Sequence, residues 1–387
     1  MSAKPISICL VAHNAYGVLA GVDTGHMGGI EVQTPLMARW LAAEGFQVSM
    51  ITWDEGDEFG HEEGAVIDGV KVFKLCKRTD GLPILRFVYP RWTSLWAALD
   101  RADAEIVYYN CGDLGLGQVV HWSRVRGRKV LYSVANDVDC VRSLPALDPL
   151  RERLLYKYGI KRSDRIVVQT RKQKQLLEDE FGRCSRMVPM PSGGFVEGEG
   201  AETVAHQSGE RLQILWVGRL TKPKRLEWLL DLAERCPDAD FDVLGAANTE
   251  SDYAKQVVER AGTIPNVFMR GRVLHAEMGG FYRKADLLCS TSVYEGFPNV
   301  YLEAWSLGIP LVTTFDPDDV VKTYGHGRVA TDVDGLAAAV AELSESGTWN
   351  VASEAARSYF LEFHQVKVAM CAFKEEFLEL RTNLGKA

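Results

Sequence analysis

Two glutamates eight residues apart, Glu295 and Glu303, surround a Gly-Phe-Pro-Asn turn in the segment YEGFPNVYLEAWSLGIP at 294–310. Such a pair could share a proton-transfer reaction or hold the hydroxyl groups of one ligand. The pattern of strand, turn and helix places Glu295 in the loop and Glu303 about one turn inside the helix, which Gly308 ends. Unpaired amides of residues 297–300 are expected between them. This geometry could hold a sugar at the loop, a diphosphate over the amides and a ribose at the inner acid.

A second segment with a chemical pattern is LWVGRLTKPKR at 215–225. Its apolar run ends at Gly218, and two cations, Arg219 and Lys224, follow five residues apart, before a helical pattern that begins near Leu226. Fixed positive charge beside the free amides of a helix N-terminus is an arrangement that binds phosphate. Solvated loop cations are the alternative interpretation, and this segment alone does not separate the two.

Two loops in the first half are further candidates. The segment HMGGIE at 26–31 lies between the first predicted strand and helix, and Gly28 and Gly29 would let a ligand approach the backbone closely. It lacks the third glycine of G-x-G-x-x-G, which weighs against a nicotinamide dehydrogenase. In VLYSVANDVD at 130–139, Asn136 and Asp137 follow a predicted strand and would point into a ligand crevice. Both loops are also explained as ordinary turns.

These loops fit one architecture, because short apolar runs alternate with helical patterns along the chain. Such alternation predicts βαβ units and parallel sheets, in which ligands bind at the carboxyl ends of the strands. A length of 387 residues suits two domains. Residues 189–210, rich in Pro, Gly, Ser and acids, predict a linker or the loop that enters the second domain.

The predicted strands are 6–12, 48–52, 70–75, 105–109, 129–134, 165–169, 212–217, 241–244, 267–269, 287–290 and 311–314. The individually predicted helices are 30–44, 226–236, 250–261, 277–284, 300–307, 354–363 and 366–380, with further helices between the strands of the first half.

The bulk composition restricts the class of protein. A net charge of −8 argues against nucleic acid as a partner. Eight scattered cysteines without a C-x-x-C pair or a His/Cys cluster are typical of a reducing cytoplasm and predict no metal site, and Cys9 and Cys289 lie in apolar runs that predict burial. No apolar run reaches the ~18 residues of a membrane span. Any membrane role is therefore expected to be peripheral.

Positive charge is concentrated in residues 151–174, which hold nine basic residues against two acidic ones. This stretch is explained either as a solvated helix face or as a basic face that meets an acidic membrane or a phosphorylated acceptor. The aromatic and basic run ILRFVYPRWTSLW at 84–96 fits a membrane contact, but a core-facing helix is the expectation that we adopt.

Together, GGIE near the N-terminus, VGRLTKPK, FMRGRV, STSVYEGFPNVYLEAWSLGIPLVTT and ARSYFLEFH resemble the retaining glycosyltransferases of glycosyltransferase family 4 in order and spacing. The resemblance covers essentially the whole chain and is most specific in the second half. It implies an α/β GT-B fold, with two Rossmann-like doubly wound domains that face a central cleft and a C-terminal helix that crosses back to the first domain. The implied domains are 1–192 with 364–387, which binds the acceptor, and 193–363, which binds the donor.

The resemblance also implies roles for individual residues. Glu295 and the amides of Phe297, Pro298 and Asn299 would hold the donor sugar, and Glu303 would bind the nucleotide ribose. Arg219 and Lys224 would neutralise the diphosphate without a metal ion. Arg272 and Val273 would border the nucleobase, and Asn136 and Asp137 would line the reaction centre. The expected donor-binding set is Gly28, Gly29, Gly218, Arg272, Val273, Gly296, Phe297, Pro298, Asn299, Val300 and Glu303.

Two departures from the family pattern stand out. Asn136 and Asp137 occupy the place where many members have a histidine. Arg225 replaces a glycine that commonly follows the lysine, and it is expected either to add a cation near the phosphates or to point to solvent.

The implied activity is transfer of a hexose from a nucleotide-diphosphate sugar to an acceptor hydroxyl, with no metal and no cofactor. The expected acceptor is a saccharide or lipid-linked saccharide, in polysaccharide or glycoconjugate synthesis in the cytoplasm, with a peripheral contact at the inner membrane face. Two alternatives remain open. A GT-B epimerase or hydrolase would consume the donor without an acceptor, and a non-catalytic sugar-nucleotide-binding partner would release no nucleotide in any acceptor mixture.

Overall fold

The computed structural model describes residues 5–26, 28–56, 63–83, 85–145, 147, 150–195, 211–247 and 251–382. The chain forms two compact units, of which the first comprises Met1–Pro191 with Ala369–Ala387 and the second Ser192–Val368. Each unit is a mostly parallel sheet with helices, as the alternation predicts. Most of the predicted linker, residues 196–210, lies outside the described residues.

The first unit contains an eight-stranded sheet in the order β3-β4-β2-β1-β5-β6-β7-β8. All neighbours are parallel except β3 and β4. The strands are β1 (Ser7–Val11), β2 (Gln47–Thr52), β3 (Val66–Ile67), β4 (Val70–Lys74), β5 (Ile106–Tyr109), β6 (Lys129–Ser133), β7 (Arg165–Val168) and β8 (Arg186–Met187). The helices are α1 (Tyr16–Ala20), α2 (Gly29–Ala43), α3 (Thr93–Ala102), α4 (Gly115–Arg126), α5 (Leu150–Arg162) and α6 (Arg171–Phe181).

The second unit contains a six-stranded parallel sheet in the order β11-β10-β9-β12-β13-β14. Its strands are β9 (Leu212–Val217), β10 (Ala239–Leu244), β11 (Val267–Gly271), β12 (Leu287–Ser290), β13 (Leu311–Thr313) and β14 (Gly327–Val329). Its helices are α7 (Leu226–Arg235), α8 (Asp252–Ala261), α9 (His275–Tyr282), α10 (Asn299–Ser306), α11 (Val320–Tyr324), α12 (Val333–Leu343) and α13 (Ser346–Tyr359).

The last helix, α14 (Val366–Thr382), packs on the first unit through its residues from Ala369 onward. Its buried Phe373 and Phe377 lie edge-on to Tyr108 of β5, with ring centroids 6.2 and 6.3 Å apart. Glu376 is 4% exposed and pairs with Arg165 and Arg186 of β7 and β8 at 3.2 and 3.0 Å. A buried carboxylate needs such partners, because desolvating it without them is costly.

Most predicted elements are confirmed to within two or three residues, and the strands 212–217 and 287–290 agree at both ends. The helix predicted at 300–307 begins one residue earlier, at Asn299. Short edge elements such as β3 and β8 are not predicted, because a two-residue strand carries no apolar periodicity. Cys9 and Cys289 are buried, as predicted, and none of the eight cysteines, all of which are described, forms a disulfide.

The prediction of a core-facing helix for the aromatic and basic run at 84–96 is wrong for the first half of that run. Helix α3 begins only at Thr93, and Leu95, Ala98 and Leu99 face the core. Between them and the preceding loop lies a short irregular helical stretch, Phe87–Trp92, that buries none of its residues. Ile84 lies outside the described residues.

A buried histidine in the second unit predicts acid sensitivity. His326 is 0% exposed among Trp305, Tyr324 and Tyr359, and neither ring nitrogen has a hydrogen-bond partner on another described residue. Burial lowers its pKa from 6.5 to about 3. Below pH 6.5 this histidine therefore binds a proton in the unfolded chain but not in the folded chain. Its contribution to the free energy of unfolding is complete above pH 6.5 and is lost as the pH falls.

We expect His326→Leu to remove that loss. At pH 5 the wild type should have lost about 2 kcal/mol of unfolding free energy relative to neutral pH, from this group alone. Urea unfolding at pH 7.5 and 5 measures the difference, and His121→Leu, which removes an exposed histidine, is the control. Equal pH slopes for His326→Leu and the wild type would contradict the assignment.

Candidate active site

The topology of the second sheet selects one position for a ligand. From β9 the chain runs outward through β10 and β11, then returns to place β12 on the other side of β9 and continues through β13 and β14. The strand order therefore reverses between β9 and β12. In open parallel sheets the loops at the carboxyl ends of two such strands diverge and leave a crevice for a ligand. These two loops are 218–225 and 291–298.

The two loops bring together the acid and the cation singled out in the sequence. Lys224 Nζ forms an ion pair with Glu295 Oε1, and both side chains are partly buried. The side chain of Arg219, in the same loop as Lys224, is exposed and has no hydrogen-bond or ion-pair partner among the described residues. One cation is thus held at the carboxylate and another is available to an anion. No group of three or more metal-ligating side chains occurs in the part of the chain that the structure describes.

Helix α10 begins directly after this loop and presents its N-terminus there. Pro298 is the N-cap residue, and none of the described side chains caps the helix. Tyr301 N already donates to Pro298 O at 3.1 Å. Uncapped first-turn amides with the positive end of the helix dipole favour a phosphate. The predicted amide of Pro298 is wrong, because proline carries no N–H. The neighbouring backbone N–H groups belong to Gly296, Phe297, Asn299 and Val300.

The inner acid, Glu303, lies within α10 and is only 5% exposed. Tyr282 OH donates to its Oε2 at 2.7 Å, and His275 Nε2 lies 3.2 Å from its Oε1. The ring of Phe195 packs on both partners, with centroid distances of 5.1 Å to His275 and 4.9 Å to Tyr282. Helix α9 therefore fixes the carboxylate that the resemblance assigns to a ribose.

Arg272 and Val273 directly precede α9, the helix whose side chains contact Glu303. They form the loop between β11 and α9, which starts at His275, and Arg272 is exposed. The turn at Gly271 uses a left-handed backbone, with φ of +70°. The predicted nucleobase border and the predicted ribose ligand are thus joined by one short helix.

Gly218 directly follows β9, where its backbone lies close to that of Gly245. A Cβ on Gly218 would lie 3.0 Å from the Trp216 indole, and one on Gly245, at the end of β10, would lie 1.8 Å from Gly218 O. Gly245 also has a φ of +156°. Glycine is therefore required at Gly245, where the two backbones approach each other at the start of the 218–225 loop.

Arg225 differs from both expectations for it. Its guanidinium points neither to solvent nor to an open phosphate site: Nε donates to Thr291 O at 2.7 Å, and NH2 donates to Thr314 Oγ1 at 2.8 Å. The group also stacks on Trp228, 3.8 Å from the ring centroid. Arg225 holds a left-handed backbone (φ 47°, ψ 51°), which is where glycine would be favoured.

Further bonds join the same two loops. Val293 N donates to Pro223 O at 2.8 Å, and Thr291 Oγ1 donates to Lys224 O at 2.7 Å while accepting from Trp216 Nε1 at 3.1 Å. Together with Arg225, these bonds fix the backbone of Lys224 relative to the segment that leads to Glu295. Thr291 could have been noticed in the sequence as the first residue after a predicted strand. Arg225 was noticed as a departure from the family pattern, but nothing in the sequence indicated its partners.

In the first unit, Gly28 and Gly29 lie where α2 begins. Gly28 is the N-cap residue in an extended conformation, and Gly29 is the first helical residue. A Cβ on Gly28 would lie 2.6 Å from Glu31 Oε2. The space over Gly28 is therefore taken by a carboxylate of the same helix.

Asn136 and Asp137 follow β6, as predicted. Asn136 is the N-cap of a short 3-10 helix, Asp137–Cys140, with a reciprocal bond to Asp139. Asp137 is 7% exposed and pairs with Lys172 at 2.8 Å, and its other carboxylate oxygen is buried without a described hydrogen-bond partner. Burial raises the pKa of Asp139 to about 7. These residues form a polar cluster at the carboxyl edge of the first sheet.

The first sheet has its own reversal of strand order, between β1 and β5. At that point His13 stacks on Trp53 with centroids 5.1 Å apart, and burial lowers the pKa of its imidazole. Asn110, 2% exposed, donates to Gln33 Oε1 at 3.1 Å. The sequence did not single out these residues, because their contacts join distant segments.

Two family models match the chain in succession. "Glycosyl transferase 4-like domain" matches residues 28–193, and "Glycosyl transferases group 1" matches residues 211–346. The first lies in the first unit and the second in the unit that holds Lys224, Glu295 and Glu303. The chain therefore belongs to the glycosyltransferases of the family 4 type, and its fold is GT-B.

Similar proteins share this architecture. A sucrose-phosphate synthase from Thermosynechococcus elongatus superposes with a TM-score of 0.78 at 15% identity, covering 98% of this chain and 100% of that one. The Anabaena protein HepE, solved with UDP and glucose, gives a TM-score of 0.74 at 15% identity over 96% and 99% of the two chains. These likenesses establish the fold.

Among curated relatives, mannosylfructose-phosphate synthase of Agrobacterium fabrum is 27% identical over 204 residues, which is 48% of this chain and 45% of that protein. The chain matches less than half the length of each of the first two curated relatives, 42% of one and 45% of the other. Matches of this length do not assign the relatives' substrates to this chain.

Proposed function

We propose that the chain is a retaining, metal-independent hexosyltransferase that uses a nucleotide-diphosphate sugar. The observation that carries the proposal is the pairing of Lys224 and Glu295 at the strand-order reversal of the second sheet. A diphosphate would displace Glu295 as the partner of Lys224, and the freed carboxylate would accept hydrogen bonds from sugar hydroxyls. Arg219 and the N-terminus of α10 would supply the remaining positive charge.

The reaction consists of one bond exchange. The bond between the anomeric carbon and the diphosphate oxygen breaks, and the acceptor hydroxyl oxygen bonds to that carbon on the face that the diphosphate leaves. The hydroxyl proton passes to the departing diphosphate, so no protein carboxylate becomes covalently attached. Fixed cations lower the barrier because negative charge grows on the leaving oxygen in the transition state.

The absence of a metal requirement is part of the proposal. Lys224, Arg219 and the uncapped helix start are three sources of positive charge within one pair of loops. Activity that is unchanged by excess EDTA, and not raised by Mg²⁺ or Mn²⁺, would support it. Loss of activity in EDTA that a divalent ion restores would refute it.

The acceptor is proposed to be a saccharide or lipid-linked saccharide bound by the first unit, in polysaccharide or glycoconjugate synthesis. The buried polar groups at the carboxyl edge of that unit's sheet, including the open carboxylate oxygen of Asp137, suit hydroxyl donors. We further propose a cytoplasmic site of action with peripheral membrane contact. No helix of the described residues is long and apolar enough to cross a membrane.

Donor identity is tested by calorimetry with uridine, guanosine and adenosine diphosphates and their hexose conjugates. We expect one base to bind and its sugar conjugate to be consumed only when an acceptor is added. Consumption without an acceptor would indicate an epimerase or hydrolase, and binding without turnover in any acceptor mixture would indicate a non-catalytic partner.

The same measurement tests Glu303. Glu303→Gln keeps the volume but removes the negative charge that the ribose hydroxyls would contact, so the Kd of the nucleoside diphosphate should rise about tenfold or more, as expected for loss of charge-assisted hydrogen bonds. Glu277→Gln, an exposed acid on α9, is the matched control and should bind as the wild type. An unchanged Kd for Glu303→Gln would remove Glu303 from the donor site.

A further inference from the structure

The first unit carries a cluster of exposed apolar side chains that the proposed reaction does not use. They lie on two segments, the turns before α3 and the start of α5. Exposed fractions range from 55% to 71% for Leu82, Leu85, Val88, Tyr89, Leu150 and Leu154. Scattered single exposed apolar residues are ordinary, but a group of this kind marks an interaction surface.

The two segments form one surface. Backbone hydrogen bonds form successive turns in the first segment: Leu85 N and Arg86 N donate to Leu82 O, and Val88 N and Tyr89 N donate to Leu85 O. The Arg151 guanidinium lies 4.5 Å from the ring centroid of Phe87, which joins the start of α5 to this segment. Leu150 and Leu154, four residues apart on α5, share one helix face. We call these six apolar residues, with Arg86 and Arg151, the apolar-basic surface.

The charge of this surface selects its partner. Arg86 and Arg151 are both exposed within it, whereas the chain as a whole has a net charge of −8. The net negative charge of the chain would repel an anionic bilayer. Arg86 and Arg151, which lie among exposed leucines and a tyrosine, would instead attract one locally. Apolar side chains that enter the headgroup region, flanked by arginines that meet lipid phosphates, are the arrangement of a peripheral membrane contact.

The position of the surface relates it to the acceptor. One segment follows the carboxyl end of β4, and α5 follows the polar cluster after β6. Arg91, next to the first segment, donates to Arg78 O at 2.9 Å and lies 5.9 Å from the Trp53 ring, at the same edge of the sheet. A bilayer bound here would lie beside the edge at which the first unit is proposed to bind its acceptor.

We propose that the apolar-basic surface docks the protein on an anionic lipid bilayer and that the acceptor is carried by that bilayer. The docking stands without the proposed transferase activity, whereas the statement about the acceptor rests on it. Vesicle binding requires no turnover, so failure of the surface and failure of the proposed function are distinguishable.

The test is co-sedimentation of the full chain with vesicles of phosphatidylcholine, alone or with one third phosphatidylglycerol, at low and high salt. We expect binding only to the anionic vesicles and weakening by salt. Leu85→Ser/Tyr89→Ser should lower the partition coefficient about tenfold, since less apolar area is buried. Leu150→Ser/Leu154→Ser, on the other segment, should act in the same direction.

Charge reversal and matched controls complete the experiment. Arg86→Glu/Arg151→Glu should lower binding by about 20-fold, because each basic residue near an anionic surface contributes roughly fivefold. Val351→Ser, 71% exposed on α13, and Lys284→Glu, exposed after α9, should bind as the wild type. The proposal is overturned if no vesicle is bound, or if both serine variants bind normally. It is also overturned if the wild type binds no vesicle but forms dimers that the serine variants abolish.

Discussion

Changing Arg219 and Lys224 together to alanine should lower kcat with the true donor by about 10³-fold or more, because removal of one preorganised donor to a developing oxyanion typically costs 10²–10³-fold. Lys224 is held by Glu295 at the divergence of two loops, and Arg219 is exposed without a described partner. Both would act on the departing diphosphate. Binding of the intact donor should weaken less than turnover, since the charge on the leaving oxygen is greatest in the transition state.

The matched control is Lys222→Ala. Lys222 lies in the same short 3-10 turn as Lys224 and is exposed, so its substitution removes a positive charge from the same sequence neighbourhood. Its loss should change kcat by less than about twofold, as for surface substitutions away from a site. Steady-state turnover of the wild type and of these two variants is the measurement. Normal turnover of the Arg219→Ala/Lys224→Ala variant would remove the proposed phosphate site, whatever the donor.

Arg225→Gly should lower kcat by about 10- to 100-fold while leaving the protein folded. Glycine relieves the left-handed backbone at this position, a gain of about 1 kcal/mol. The same change deletes the guanidinium bonds to Thr291 O and Thr314 Oγ1, and frees the loop that carries Lys224 from the segment that leads to Glu295. Small displacements of positioned groups are enough to cost this much turnover.

Arg225 acts here as a positioning residue, so its test needs a readout that general destabilisation would not move. Guanidinium ion added at non-denaturing concentration should partly restore kcat of Arg225→Gly by filling the vacated stack on Trp228. It should not restore Lys224→Ala. Arg225→Lys should recover little, because a single ammonium cannot reproduce the two directed bonds. Wild-type turnover in Arg225→Gly would show that the two loops hold their positions without this side chain.

Local sequence patterns predict the ends of several strands and the positions of the charged loops in this chain. Strands β9 and β12 are apolar runs bounded by turn residues, so their ends can be read directly. The separation of Glu295 in a loop from Glu303 in a helix follows from the turn and helix signals between them. Those signals are encoded within a few residues, and they also place Arg219 and Lys224 before a helix. The predicted hydrogen bond from Pro298 is wrong because proline has no N–H, but the predicted position of the helix start is right, since Pro298 is the N-cap residue of α10.

Other features needed contacts that no local pattern encodes. Arg225 finds its partners 66 and 89 residues away, at the ends of two strands that only the sheet order brings beside its loop. Tyr282 meets Glu303 across 21 residues because α9 packs on α10.

The sequence by itself determined the alternation of strands and helices, the family and the loops that carry charge, because each depends on residue type and short spacing. Tertiary structure alone decided that Lys224 pairs with Glu295 and that Arg225 binds strand-end oxygens. It also decided that His326 is buried with no hydrogen-bond partner on another described residue, and that Leu82, Leu85, Val88 and Tyr89 are exposed. Each of these depends on which distant segments exclude water from a side chain or supply its partner. That is a property of the packed chain, and a sequence pattern cannot express it.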